Sequence, residues 1–171
     1  MKRILPVLLT LSLAFIFACT SRAARHPTKD SASVGGAVAD PTLKTIAIIV
    51  ADGSDTEPVI SVVPDPIKIK IGDKIKWVVY NNRSDGQVAV KIDTFVIDGT
   101  TTLESPFKSG RAYFDLTRIE SGTTSSYPAG DDTTAAKAKT YKYTIHASVT
   151  SSSGAVITLK DLDPRVVISG G

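Results

Sequence analysis

The sequence has few of the side chains that most catalytic and metal sites require. It contains one cysteine, one methionine and two histidines among 171 residues. Serine catalysis needs a base beside the nucleophile, yet His146 is the only histidine outside the N-terminal region and no Gly-x-Ser-x-Gly elbow is present. The chain also lacks zinc-ligand spacing and a glycine-rich phosphate cradle. The sequence therefore predicts a protein that is not an enzyme and holds no cofactor.

The chain also lacks a strong net charge. Its formal charge of +3 includes Lys2 and Arg3, and removing these two N-terminal cations leaves +1. We therefore expect no nucleic-acid partner. The hydrophobic share of 42% is ordinary for a globular protein, so one domain can bury a core without metal or disulfide cross-links.

One long apolar run is present, at the N-terminus. Lys2 and Arg3 precede Ile4–Phe17, which has 14 residues. A helix needs about 20 apolar residues to cross a bilayer. A positive start, a short apolar run and the small residue Ala18 predict an export signal over residues 1–18.

The only cysteine, Cys19, follows this segment directly. Ile16-Phe17-Ala18-Cys19 resembles the lipobox of bacterial lipoproteins, in which the cysteine is acylated and becomes the mature N-terminus, although Phe17 replaces the usual small residue. Lipidation would explain a single cysteine in an exported protein, and ordinary cleavage with an incidental thiol is the alternative. The resemblance implies membrane attachment through Cys19 in the bacterial cell envelope. Thr20, in place of Asp, implies the outer membrane.

Residues 19–42 show no hydrophobic period after the cysteine. Serine, alanine, glycine, arginine and proline dominate, and Gly35-Gly36 is a small, unhindered pair. This composition predicts a flexible tether between the membrane and a folded domain at 43–171.

The domain is rich in alternating apolar residues. Ile67, Ile69 and Ile71 alternate with lysines, Gly72-Asp73 supplies a turn, and Ile75, Trp77 and Val79 form a second apolar row. This period of two predicts half-buried antiparallel strands with Trp77 in the core. Similar runs separated by turn residues predict an all-β fold, a Greek-key β-sandwich of eight or nine strands. Glu120–Thr134 is expected to be a long loop, closed by a short helical turn at Ala135–Ala138.

Three stretches of the domain resemble the cupredoxin family, the fold of plastocyanin and other blue-copper proteins. Pro66–Asn82 is similar to the family's proline, alternating strand, Gly-Asp turn and Trp-Val-x-Asn segment. Phe107–Gly110 is similar to its Phe-x-Ser-Gly stretch, and Thr140–Tyr143 to the Thr-Tyr-x-Tyr run before its copper loop. The resemblance implies a cupredoxin-like sandwich over most of residues 43–160.

The copper ligands of that family have no counterparts here. A blue-copper site needs two imidazoles and a thiolate. The resemblance implies that Gln87 stands at the first histidine, Ile145 at the cysteine, and Ser148–Ser153 at the second histidine and the methionine. We therefore predict a copper-free binding or structural module; electron transfer or copper handling through another site is the alternative.

Loops at one end of a sandwich are its usual binding surface. We expect the loops at 81–86, 120–134 and 148–154 to present small polar groups to an envelope protein or a glycan. A carbohydrate-binding module is the second alternative, with Tyr80 and Tyr127 as aromatic side chains outside the inward rows. The candidate binding residues are Asn81, Asn82, Gln87, Tyr127, His146 and Ser151.

Overall fold

The computed structural model describes residues 41–53 and 57–170. This part of the chain is all-β, as predicted, and contains one turn of 3-10 helix at Asp131–Thr133. The predicted signal peptide, Cys19 and the tether up to residue 40 lie outside it. Within the described ranges, no helix is long and apolar enough to cross a membrane.

The strands form two sheets. In chain order they are β1 Leu43–Asp52, β2 Pro58–Val63, β3 Ile67–Lys70, β4 Lys74–Asn82, β5 Gln87–Ile97, β6 Phe114–Glu120, β7 Thr124–Tyr127, β8 Thr140–Thr150, β9 Val156–Thr158 and β10 Arg165–Ser169. Sheet A has the order β2-β1-β4-β7, and sheet B the order β3-β10-β8-β5-β6, with β9 beside β8. The pairs β1–β4 and β3–β10 are parallel, and the other neighbours are antiparallel.

Both sheets contribute to one hydrophobic core. Ile67 and Ile69 of β3 and Ile75, Trp77 and Val79 of β4 are buried, as the period of two predicted. Ile71, predicted in the first row, is exposed because β3 ends at Lys70. The Trp77 ring centroid lies 4.5 Å from that of Phe114, which belongs to the facing sheet. The two sheets therefore pack face to face in a sandwich-like arrangement.

The predicted Gly72-Asp73 turn also fixes the start of β1. The Asp73 carboxylate is buried and accepts hydrogen bonds from the backbone N–H groups of Thr42, at 3.1 Å, and Lys70, at 2.9 Å. Because one carboxylate satisfies donors 31 and 3 residues away, this turn links β3, β4 and the start of β1.

The structure corrects three predictions about local elements. The strands on either side of Gly72-Asp73 are not an antiparallel pair, because β3 lies in sheet B and β4 in sheet A. The described residues form ten strands instead of eight or nine, because Glu120–Thr134 is not wholly a loop and contains β7. This Thr-Ser-Ser-Tyr strand has no hydrophobic period and is held by pairing with β4. The expected helical turn is also wrong: the 3-10 turn precedes Ala135, whose backbone bridges to Phe107 instead.

Candidate functional site

Three of the predicted binding residues meet at one end of the domain, called here the polar end. Asn82 lies at the close of β4, and Gln87 opens β5 directly opposite Thr150, the residue before Ser151. Asp85 lies in the turn between β4 and β5, and Ser152 lies in the turn after β8. The Asp85 carboxylate joins these two turns by accepting hydrogen bonds from the N–H and hydroxyl groups of Ser152, at 3.2 and 3.1 Å.

The pairing of β5 with β8 does not place Gln87 and Ile145 opposite each other, although the cupredoxin resemblance put both at copper-ligand positions. Gln87 and Ile145 were expected at neighbouring ligand positions, but Thr150 lies opposite Gln87. Ile145 is paired with Ile92 in the middle of β8 and is fully buried. Local sequence motifs could not predict how β5 is aligned with β8, because the two strands are more than fifty residues apart in the chain.

The polar groups at this end mostly bond to one another. Gln87 Nε2 donates to Glu120 at 2.7 Å, and the hydroxyl groups of Ser151 and Ser153 are 2.8 Å apart. Ser121 Oγ donates to the Arg83 carbonyl at 2.7 Å, and with the Ser152–Asp85 contacts this hydrogen bond connects the turns at 83–86, 121–123 and 151–154. The polar end is therefore a cross-linked rim of the sandwich.

Asn81 is part of the interior and not of the surface. Its side chain is fully buried, and Nδ2 donates to the carbonyl groups of Ile119, at 2.8 Å, and Gly86, at 3.1 Å. Its Oδ1 accepts from the N–H group of Arg83 at 3.3 Å. The expectation that this amide is available at the surface is wrong, because internal partners already occupy it.

Tyr127 lies away from the polar end, although it was expected in a loop there. It is paired with Trp77 and faces inward, with its ring centroid 4.8 Å from that of Phe114. Its hydroxyl group donates a hydrogen bond to Asp132. The pKa of Tyr127 is raised, mainly because the hydroxyl is partly buried and secondly because of this hydrogen bond to the Asp132 carboxylate. It is therefore not the free aromatic side chain that the sequence indicated.

His146 lies on the outward surface of sheet B, as its position in the alternation of β8 predicted. Its Nδ1 is 2.8 Å from Asp161 Oδ1, and its Nε2 is 3.1 Å from Asp93 Oδ1. The Asp161 contact is the main reason that the pKa of His146 is raised, and burial opposes it. Both ring nitrogens are engaged, so this imidazole has no free position for a ligand.

A strained residue lies beside this cluster. Thr94 has φ of 54° in a β5 bulge, a conformation that a β-branched side chain rarely adopts. A cavity of about 350 Å³ opens next to it, with Asp93 and Glu104 among its lining residues. Glu104 already accepts from Lys139 and from the Tyr141 hydroxyl, so the carboxylates here serve ion pairs and hydrogen bonds within the domain.

No group of three or more histidine, cysteine or acidic side chains in residues 41–53 and 57–170 is arranged to hold a metal ion. His146 is the single imidazole of these ranges, so it and the carboxylates could at most supply isolated ligands there.

A different surface was missed in the sequence: the outer face of sheet A, formed by the residues that alternate with the buried ones. Val63, Ala47 and Val78 lie side by side in one row. Ile49 and Tyr80 are neighbours in the next row. The signal was present, because β1 and β2 are apolar at consecutive positions. Such continuous runs are typical of strands covered on both faces.

The outward surface of sheet B has the opposite character. Lys91, Asp93, Lys142, His146 and Arg165 all lie in its strands at positions that alternate with buried residues. On the outer face of sheet A, the charged residues are Lys74 and Lys76, both near the start of β4. The two surfaces of the domain therefore differ sharply in charge.

Comparison with known proteins assigns no family to this arrangement. No protein-family model matches the chain, and no curated protein matches its sequence. The residues themselves must therefore carry any functional inference.

Proposed function

We propose that this chain is a non-catalytic binding module of the bacterial cell envelope. Its domain is a copper-free, cupredoxin-like Greek-key sandwich, attached to the outer membrane through lipid-modified Cys19. The outer face of sheet A is the surface that binds another envelope protein.

The strand order supports the Greek-key and cupredoxin-like part of this proposal. Parallel pairs cannot be joined by tight hairpins, so β1–β4 and β3–β10 require connections that cross between the sheets. Pro64-Asp65-Pro66 separates β2 in sheet A from β3 in sheet B, so one edge segment contributes to both sheets. We take these connections between the sheets as support for the cupredoxin-like sandwich that the sequence motifs indicated.

The observation that carries the binding role is the apolar character of β1, β2 and β4 on both faces. Their inward residues fill the core, and their outward residues are mostly apolar as well. These are Leu43, Ala47, Ile49, Ala51, Val59, Val63, Val78 and Tyr80, with Thr45, Ser61 and Asn82 among them and Lys74 and Lys76 at one end. Exposed β surfaces of soluble domains ordinarily alternate apolar inside with polar outside. A contiguous uncharged patch of this kind is typical of an interaction surface.

The side chains on this face favour a protein partner over a glycan. Aliphatic residues dominate, with Tyr80 as the aromatic member among the described strands of sheet A. Sugar recognition relies on aromatic faces together with free hydrogen-bonding groups, whereas the fully buried centre of a protein–protein interface is more apolar than the rest of the surface. Glycan binding therefore ranks second.

Photo-crosslinking in cells tests this surface. A photoreactive residue at Tyr80 should capture a defined partner, and one at Thr144 on sheet B should not. The captured band should fall at least fivefold when Ile49→Lys adds charge to the outer face of sheet A, and persist in Ser148→Lys on sheet B. Circular dichroism must show that both lysine variants are folded. Equal capture from the two sheets would contradict the proposal, and retention on a glycan column that depends on Tyr80 would favour the second candidate.

The copper-free part is tested by metal analysis of the purified chain after copper loading. We expect substoichiometric copper without a strong visible band, since His146 is the domain's one imidazole. Stoichiometric copper with such a band would favour electron transfer or copper handling.

Attachment through Cys19 is tested by radiolabelled palmitate. Wild-type chain should incorporate the label and Cys19→Ala should not. Label retained by Cys19→Ala would exclude lipidation at this residue, and separation of inner and outer membranes then locates the labelled protein.

A further inference from the structure

Strand β2 is an open edge of sheet A. Its sole strand partner in the part of the chain that the structure describes is β1, which pairs along all six residues of Pro58–Val63. Among the same residues, no backbone hydrogen bond reaches β2 from its other side. Every second N–H and C=O group of β2 therefore points away from sheet A, as at any sheet edge.

The edge formed by β2 lacks the protection that the other edges have. Natural edge strands are usually short, or carry charges or prolines that prevent pairing with another chain, and the one proline of β2, Pro58, is its first residue. Here β3 has two lysines and β6 has three charged residues, while β7 and β9 have only four and three residues. β2 has no charge, and its Val59 and Val63 are 52% and 55% exposed.

The sequence of β2 is nearly the same in both directions around Ser61. In an antiparallel pair that continues a sheet, residues directly opposite one another lie on the same face. Pairing β2 with a second β2 about Ser61 satisfies this condition. Val59 then lies opposite Val63 of the second copy, Ile60 opposite Val62, and Ser61 opposite Ser61.

We propose that two copies of this chain associate through β2 in this antiparallel register. A two-fold axis through Ser61 relates them and joins the two four-stranded sheets into one continuous sheet of eight strands. Because the interface is isologous, pairing stops at two copies and does not continue into a fibre.

An open cavity adjoins the inner side of this edge. A cavity of about 270 Å³ lies against β2 and is lined by Ile60, Val62 and Leu162, among others. Its two carboxylates, Asp65 and Asp163, accept hydrogen bonds from Arg165 and Thr144 within the domain. β2 itself is uncharged, so like charges meet only just beyond its ends, where Glu57 of one copy lies opposite Asp65 of the other, and that Asp65 carboxylate accepts a hydrogen bond from the Arg165 N–H group. This inference rests on the backbone edge, independently of what the outer face of sheet A binds.

Disulfide trapping in the full-length chain tests the register. Opposed residues in an antiparallel pair have Cβ atoms about 4.5–5.5 Å apart, close to disulfide geometry. We expect Ser61→Cys to give a covalent dimer under mild oxidation in the membrane. Ser126→Cys is the matched control, because Ser126 is also exposed on the same outer face but belongs to the opposite edge strand, β7. The wild-type chain, treated in the same way, is the control for any disulfide bond formed through Cys19.

A charge substitution gives a second, reversible measurement. Ser61→Lys places two ammonium groups opposite each other in the proposed dimer, so its dimer dissociation constant should rise at least tenfold in analytical ultracentrifugation. Ser126→Lys should leave the constant unchanged within twofold. A monomeric wild type, or equal trapping of Ser61→Cys and Ser126→Cys, would overturn the proposal. Equal trapping would indicate contact through the outer face instead. Trapping of neither cysteine variant would also overturn the proposal and would mean that the β2 edge pairs with another segment or another protein, if with anything.

Discussion

His146 Nδ1 lies 2.8 Å from Asp161 Oδ1, in a pair whose side chains are 40% and 50% exposed. The contact joins β8 to the segment before β10. The carboxylate favours the imidazolium ion, so the pKa of His146 is raised from its ordinary 6.5.

The first prediction concerns this pair. Asp161→Asn should lower the pKa of His146 in an NMR titration, and Asp163→Asn, which removes a carboxylate bonded to Thr144, should change it less. A raised folded-state pKa stabilises the fold fully below the unfolded value of about 6.5, and this stabilisation is lost as pH rises through the folded value. The free energy of unfolding lost in Asp161→Asn should therefore be larger near pH 5.5 than near pH 9. An equal loss at both pH values would contradict the assignment.

The second prediction compares two adjacent asparagines. Asn81→Ala removes the donor that serves the buried Ile119 carbonyl and the Gly86 carbonyl, and should lower the free energy of unfolding by about 1–3 kcal/mol. Asn82→Ala removes an exposed side chain and should change it by less than about 0.5 kcal/mol. Urea unfolding measures both. If Asn81 were a surface ligand residue, the two variants would be equally stable.

The third prediction compares two glycines with almost the same backbone conformation. Gly86 and Gly154 have φ of 85° and 84°, so alanine is strained at either position. A Cβ on Gly86 would lie 2.5 Å from the Thr150 carbonyl oxygen, whereas one on Gly154 meets nothing within 4 Å. Gly86→Ala should therefore raise the unfolding rate and lower the melting temperature more than Gly154→Ala does. Equal melting temperatures would mean that the β4–β5 turn is not packed against β8.

The fourth prediction uses Trp77, the single tryptophan, as a reporter. Phe114 is fully buried against it, so Phe114→Ala should cost about 3–5 kcal/mol of unfolding free energy. The adjacent Tyr113 is 55% exposed, and Tyr113→Ala should cost much less. Tryptophan fluorescence during denaturation measures both variants. Native emission that shifts to longer wavelength in Phe114→Ala alone would agree with a shared core across the two sheets.

Much of the fold was predictable because its strands carry strong local patterns. Ile75, Trp77 and Val79 are buried, as the period of two required. The β7 strand was not predictable, because its Thr-Ser-Ser-Tyr sequence is held by backbone bonds to β4 and has no pattern of its own.

The candidate sites were less predictable, because polarity does not report where a side chain finds its partners. Asn81 and Asn82 are identical side chains in one turn-rich stretch, yet the first is buried on three internal hydrogen bonds and the second is exposed. Tyr127 looked free, but pairing with Trp77 turns it inward.

By itself, the sequence determined the all-β class, the inward rows and the shortage of metal-binding side chains, since each of these depends on residue type and local spacing. Tertiary structure alone decided that Val63, Ala47 and Val78 share one uncharged row and that β2 is left at an edge. The physical reason is that strand pairing and register join segments distant in the chain, and alternation within one strand specifies two faces without specifying the neighbours of either.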